Sequence, residues 1–306
     1  MVQYFLYRIV IFIIHCLGRQ RAYGFARLCA DIHYYSSPTD RRAVTNNLQQ
    51  ILKTRDGLPV KAREVFRNFG TYLVDFFFMD KMVDARFVKE QVSIEGYEHL
   101  TSALARGKGV VILAAHIGNW EMGAAVMNQL GHPLTAIALP HKDRRVNELF
   151  NRQRIAQGVT VIPSNIAVRG CVLALRKNKC VAVLGDRDFG SFGEPLVFLG
   201  RPTLIPKGAA FFAHKAGAAI VPSFFVPDGR GRYVLSFGAA IIAPEGPADN
   251  ERDIELSLMK QCVAAIECKV RENPLRWLMF REFGIEYEDL SSHSRLQRGA
   301  GLRAAR

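Results

Sequence analysis

The sequence predicts an α/β fold, a mixed-sheet sandwich behind an N-terminal helical arm that associates with a membrane. Three observations predict it. Apolar residues recur at helical spacing through residues 1–90. From Gln91 onward, short apolar runs alternate with helical stretches. An apolar, aromatic run opens the chain and is followed by arginines. At 306 residues, 49% of them hydrophobic, the chain suits one large domain with a helical arm.

Residues 4–17 are mostly apolar, interrupted by Arg8 and closed by His15 and Gly18. That is short of the roughly 20 residues a spanning helix needs. No small-x-small site follows, so a cleaved signal peptide is not expected. Arg19, Arg21 and Arg27 lie on the carboxyl side, which orients the body of the protein toward the cytoplasm. Residues 1–20 therefore read as a short anchor or an in-plane helix, and the localisation as the cytoplasmic (inner) membrane with the α/β domain facing the cytoplasm.

Residues 21–90 form the arm. Ser37-Pro38 opens one helix and Pro59 another. Phe66, Phe69, Tyr72, Leu73, Phe76 and Phe77 run down the second. Core packing is the simplest reading of that stripe, and an apolar ligand groove or membrane face the other. Residues 91–290 form the α/β domain, with strands at 92–95, 110–115, 134–139, 159–162, 180–184, 219–226 and 233–237. The last two follow each other closely, which argues for a mixed sheet. A long helix over 249–271 closes the domain, and a basic, mobile tail over 291–306 follows.

The net charge of +13 points to an acidic partner, such as an anionic membrane surface or an acidic protein. No nucleic-acid motif accompanies it, so no nucleic-acid partner is expected. Six cysteines without a CxxC pair read as reduced and buried, with no disulfide framework and no metal site.

The chemistry concentrates in Val110 to Glu121. A buried strand runs into His116, a Gly118-Asn119 turn and a helix carrying Glu121. The carboxyl end of such a strand is where ligands meet an open α/β sheet. His116 reads as a general base and Glu121 as the acid that orients it. The spacing alone carries little: 8 His and 28 acids in 306 residues yield about one such pair by chance. The context carries the reading, because Asn119 is a good N-cap and puts Glu121 in the first helical turn. Backbone N–H groups there are candidate oxyanion donors.

His116-Ile117-Gly118-Asn119-Trp120-Glu121 resembles the His-x4-Asp/Glu motif of glycerolipid and lipid A acyltransferases. The likeness is to the late acyltransferases of bacterial lipid A biosynthesis and the related phosphatidylinositol mannoside acyltransferases. Gly185-Asp186-Arg187-Asp188-Phe189-Gly190, the block from Glu194 to Thr203, Ala219-Ile220-Val221-Pro222 and Asn273-Pro274-Leu275-Arg276-Trp277 are similar to further blocks of that family. The resemblance covers roughly residues 1–290, and the ordered set is far more specific than any single block.

It implies a glycerolipid acyltransferase-like sandwich and transfer of a fatty acyl chain from acyl carrier protein or acyl-CoA to a hydroxyl of a glycolipid or lysophospholipid. No cofactor is implied, and no serine or cysteine nucleophile is needed. It also implies that Arg154 holds substrate or donor and that the Asp186/Asp188 turn borders the cleft. Asn119 and Arg201 join the substrate-binding candidates, Arg201 and Lys207 as phosphate contacts. His141, Lys142, Arg144, Arg145 and Arg152 surround Arg154 in sequence, and for Arg144 and Arg145 a solvated face is the better reading. The family's Glu-Gly-Thr-Arg block is absent in that form, which leaves the headgroup contacts open. Phe189, Phe192, Phe198 and Leu199 either line an acyl pocket or pack.

Two rival functions follow from the residues alone. Asp186-x-Asp188 after an apolar strand suits a metal-dependent glycosyltransferase. A non-enzymatic lipid-binding protein on the same fold is the other.

Overall fold

The computed structural model describes residues 2–138, 143–163, 166–188, 193–244 and 250–284. Four helices form the arm: α1 (Val2–Leu17), α2 (Arg19–Ser36), α3 (Pro38–Leu52) and α4 (Leu58–Met82). Gly18 breaks α1 from α2 at φ +71°. Arg63 and Arg67 of α4 both bond Asp31 of α2, at 2.6 and 2.8 Å. Gly70 lets the two helices close up, since a Cβ there would sit 2.9 Å from the Ala26 carbonyl oxygen.

The α/β body follows as α5 (Ala85–Gln91), β1 (Val92–Glu95), α6 (Tyr97–Ala105), β2 (Val110–Ala114), α7 (Trp120–Gln129), β3 (Leu134–Ala138), α8 (Arg144–Ala156), β4 (Thr160–Pro163), α9 (Ala167–Arg176) and β5 (Cys180–Leu184). Then come β6 (Glu194–Phe198), β7 (Arg201–Ile205), α10 (Gly208–Ala216), β8 (Ala219–Pro227), β9 (Tyr233–Phe237), α11 (Glu251–Glu272) and a 3-10 turn at Pro274–Arg276.

Seven strands make one sheet in the order β1-β9-β8-β2-β5-β3-β4. Every neighbouring pair is parallel except β8 and β9, which run antiparallel. The sheet is mixed, as the close spacing of the last two strands predicts. Its centre is β2, buried on both faces. Val110 and Ile112 enter the core under α4 and α7, while Val111 and Leu113 enter the core under α10 and α11. A third cluster sits within the arm and takes in Leu278 of the C-terminal segment.

All seven predicted strands are found within a residue or two of their expected places, although Leu139 lies outside the described residues. The β6–β7 hairpin was not anticipated. Leu199 and Gly200 form its two-residue turn with φ of +50° and +81°. That backbone suits a primed hairpin turn, but Leu is a rare choice for it. Leu199 is fully buried, and its N–H donates to Glu267 of α11. Packing therefore holds the strained turn.

The cysteines divide. Cys171, Cys180 and Cys262 are buried, whereas Cys16, Cys29 and Cys268 are exposed, contrary to the expected burial of all six. The exposed three stand on outward faces of amphipathic helices, where an apolar neighbourhood in sequence does not mean burial. Phe189, Phe192, His141, Lys142 and the 291–306 tail lie outside the described residues.

Candidate active site

His116 and Asp186 meet because β2 and β5 are in register. Ala114 pairs with Leu184, and Gly185 N–H continues the ladder to the Ala114 carbonyl at 2.9 Å. Two residues past that rung, His116 Nδ1 lies 2.9 Å from Asp186 Oδ1. Asp186 Oδ2 accepts from the His116 backbone N–H at 3.0 Å and from Trp277 Nε1 at 2.8 Å. Burial pushes the Asp186 carboxyl up, but the His116 charge and these hydrogen bonds outweigh it and hold the group below the usual carboxylate range. An ionised carboxylate only accepts, so it keeps the proton on Nδ1 and makes Nε2 the basic nitrogen.

The histidine loop is clamped by the C-terminal segment. Gly118 N–H donates to Arg276 O at 2.9 Å, and Leu278 N–H donates to His116 O at 2.7 Å. Asn119 N–H donates to Phe225 O of β8 at 2.9 Å. Gly118 sits at φ +63°, and a Cβ there would lie 2.2 Å from Phe225 O. Only glycine fits that approach. Asn119 caps α7 by accepting from Met122 N–H at 3.1 Å.

Glu121 was predicted to orient His116. Instead, the Nδ1 partner is Asp186, and the Glu121 carboxylate is held by Arg154. Arg154 Nη2 reaches Oε1 at 2.7 Å, and Nε reaches both oxygens at 3.1 Å. Burial works against the Arg154 charge, but Glu121 more than compensates, so its pKa is raised. The reason is geometric: the first turn of α7 carries Glu121 toward α8, whereas the strand register delivers Asp186 to the imidazole. Trp120 makes an edge contact with the His116 ring, with centroids 4.9 Å apart, and stacks on Tyr72 of α4.

His116, Trp120, Glu121, Arg154 and Tyr72 line one cavity of about 870 Å³. His116, Glu121, Arg154 and Asp188 stand in its wall. Asp188 Oδ2 accepts from Gly193 N–H at 3.2 Å. The inner part is apolar and runs between α7 and the sheet. Ile112, Ala182 and Ala136 form its floor, consecutive across β2, β5 and β3, and Ala124 and Met127 its roof.

Two substrate-binding candidates stand elsewhere. Asn119 is buried as a helix cap and is not among the described residues that line the cavity. Arg201 lines a separate polar pocket with Lys53 and Arg55 and pairs with Glu282 at 3.6 Å. The phosphate contact expected of Lys207 is replaced by an ion pair with Glu194 at 2.7 Å. Arg144 and Arg145 pair with Glu148 and Asp143, in keeping with a solvated face. Phe198 and Leu199 pack in the core. A metal held by Asp186 is poorly supported, because both its oxygens are engaged by His116 and Trp277.

Sequence reasoning missed Asp186 as the histidine's partner and Trp277 as a donor to it. The Asn-Pro-x-x-Trp block was visible, but not the 91-residue separation that the Trp277–Asp186 hydrogen bond bridges.

A phosphatidylinositol mannoside acyltransferase of Mycobacterium tuberculosis (strain CDC 1551 / Oshkosh) is 31% identical over 169 residues, 54% of each chain. The lipid A biosynthesis palmitoleoyltransferase of Escherichia coli (strain K12) is 28% identical over 160 residues, 52% of this chain and 51% of that one. The matched stretches thus span about half the length of these curated relatives. The solved 1-acyl-sn-glycerophosphate acyltransferase of Thermotoga maritima is similar at a TM-score of 0.35 and 14% identity, over 81% of this chain and 98% of that one. The family model described as bacterial lipid A biosynthesis acyltransferase matches residues 1–282, nearly the whole chain that builds the arm, the sheet and the His116 cavity, and the chain belongs to that family.

Proposed function

We propose that this protein is an O-acyltransferase at the cytoplasmic face of a membrane. It moves a fatty acyl chain from an acyl-carrier-protein or coenzyme A thioester to a hydroxyl of a glycolipid or lysophospholipid. The observation that carries the reading is the His116–Asp186 pair at 2.9 Å in the wall of a largely apolar cavity. The reaction class named in the relatives supports it, and so does the mannoside named in one of them.

His116 Nε2 takes the proton of the acceptor hydroxyl as its oxygen attacks the thioester carbonyl carbon. The new C–O bond forms, the C–S bond breaks, and the imidazolium returns the proton to the departing thiolate. Asp186 stabilises the imidazolium between these steps. Arg154, fixed by Glu121, brings a permanent positive charge to the cavity, where negative charge develops on the carbonyl oxygen. The alkyl chain lies between α7 and the sheet.

The arm supports membrane contact. Phe5, Leu6, Ile9 and Phe12 are exposed on α1, and Leu28, Ile32 and Tyr35 on α2. Arg8, Arg21 and Arg27 are exposed beside them. Among the described residues no helix is long and apolar enough to cross a membrane. With these exposed groups the arm lies in the interface, its apolar side chains in the acyl boundary and its arginines among anionic headgroups.

The test is transfer from acyl thioesters to candidate lipids by wild type and His116→Ala, with products read by mass spectrometry. A folded His116→Ala protein that retains full activity sinks the mechanism.

A further inference from the structure

Two buried asparagines of the arm bond one short stretch of the C-terminal segment, residues 275–283. Asn68 of α4 donates from Nδ2 to Leu275 O at 2.8 Å and accepts at Oδ1 from Arg276 Nη1 at 2.8 Å. Asn47 of α3 donates from Nδ2 to Met279 O and Arg281 O, at 3.2 and 2.8 Å. Its Oδ1 accepts from Phe283 N–H at 3.2 Å. Each amide meets carbonyls at its nitrogen and a donor at its oxygen, so only one orientation satisfies it. Asn47 is 3% exposed and Asn68 9%, and an amide left unpaired at such depth would be destabilising.

The other edge of that stretch grips the site. Arg276 O accepts from Gly118 N–H, and Leu278 N–H donates to His116 O. Trp277 bonds Asp186 through its indole and forms an antiparallel bridge with Ile117. Leu278 packs into the arm cluster, whereas Trp277, Met279 and Phe283 pack into the core under α10 and α11. Residues 275–283 are thus a strap, with the arm on one side and the histidine and its acid on the other. Arg276 belongs to both sides: its guanidinium rests on Asn68 and its carbonyl holds Gly118. Neither asparagine is among the described residues that line the cavity, so neither reaches substrate there.

Resting on the acyltransferase reading, we infer that Asn68 is a positioning residue for acyl transfer, and that Asn47 supports it further along the strap. Asn68 fixes Arg276, Arg276 fixes the Gly118 turn, and the turn sets where His116 Nε2 stands. A general base works only within hydrogen-bond reach of the proton it takes. A displacement of about 1 Å, even one caused far from the chemistry, can lower the rate by about 10²-fold. The arm then does more than contact a membrane, because its α4 helix sets the geometry of the base.

The experiment uses the full chain in detergent micelles, with palmitoyl thioesters of coenzyme A and of acyl carrier protein as donors. A mannosylated phosphatidylinositol, an acylated glucosamine-disaccharide lipid and lysophosphatidylglycerol serve as acceptors. Asn68→Ala should lower kcat by about 10- to 100-fold and leave the KM of donor and acceptor unchanged. Asn68→Ser, run beside it, guards against loss of fold and should lower kcat in the same direction. Asn47→Ser should lower it less, because its bonds fall beyond Leu278. Asp31→Asn loosens the α2–α4 pairing without touching the strap, and should keep kcat within about twofold of wild type. Amide hydrogen exchange at Gly118 and Leu278 should quicken by about tenfold in Asn68→Ala and stay as in wild type in Asp31→Asn. Asn68 variants that turn over at the wild-type rate, or slow no more than Asp31→Asn, overturn the positioning role alone, as does unchanged exchange at those two amides. Wild type that acylates none of the three lipids overturns the acyltransferase reading and the positioning role with it.

Discussion

Asp186 lies opposite His116 because β5 and β2 end on the same rung, and its two oxygens take both the Nδ1 and the backbone N–H of that histidine. The same carboxylate is anchored from the far end of the chain by the Trp277 indole. Tautomer, ring orientation and loop conformation of that histidine therefore depend on one buried acid.

Asp186→Asn should lower kcat by about 10³–10⁴, because an amide no longer enforces the Nδ1–H tautomer. Glu121→Gln should cost much less in kcat, since its carboxylate bonds Arg154 and not Nδ1. Steady-state rates of the two variants at saturating acceptor decide it, and a larger loss in Glu121→Gln would return the orienting role to that residue.

Asp186 also sets an acid limb of stability. Its folded pKa lies below the unfolded value, so its contribution is complete above the unfolded carboxyl range near pH 4 and is lost as pH falls through the lower folded pKa. The gap in unfolding free energy between wild type and Asp186→Asn should hold from neutral pH down to about pH 4 and narrow below it. Denaturant titrations across that range measure the gap, and one that widens on acidification has the wrong sign.

The strands were legible because each is a short apolar run set off by Gly or by polar residues, and burial of such runs on both sheet faces leaves few alternatives. His116 was legible for the same reason, as the polar residue that ends one of these wholly apolar runs. Its partner was not, because parallel register joins residues that lie 70 apart in the chain. Glu121, five residues away, was the visible acid, and a helix turn points it elsewhere. The β6–β7 hairpin was hidden by Pro195 and Pro202 and by a turn built on buried Leu199.

The Glu121–Arg154 pair is nearly buried, with 8% and 18% of the side chains exposed. Removing either partner should destabilise the fold by about 3–5 kcal/mol, because the other charge is stranded. Glu121→Leu combined with Arg154→Met should cost clearly less than the sum of the two single changes. Denaturant unfolding of the four proteins closes the cycle, and strict additivity would mean that the two side chains are not coupled.

Ala182 and Ala136 sit side by side on neighbouring strands and keep the cavity floor low. Ala136→Leu should raise that floor under the far end of the alkyl chain. The longest accepted thioester should lose about tenfold or more in kcat/KM, while shorter ones keep theirs. Competition among acyl thioesters of graded length reads the shift directly, and a uniform loss at every length would place the chain elsewhere.

Phe5, Ile9 and Phe12 recur at helical spacing and stand more than half exposed on α1, with Arg8 among them. Apolar side chains left in water on one helix face are unfavourable unless a surface covers them. Insertion of each phenylalanine into an interface should be worth about 1.5–3 kcal/mol at most. Phe5→Ser with Phe12→Ser should therefore weaken partition onto anionic vesicles by about tenfold or more, and acylation of lipid embedded in vesicles should fall with it. Transfer to the same lipid dispersed in detergent should survive, because neither residue is among those described as lining the His116 cavity. Sedimentation with phosphatidylglycerol vesicles, paired with the detergent assay, separates the two effects. Equal binding of wild type and the double variant would remove α1 as the membrane-facing surface.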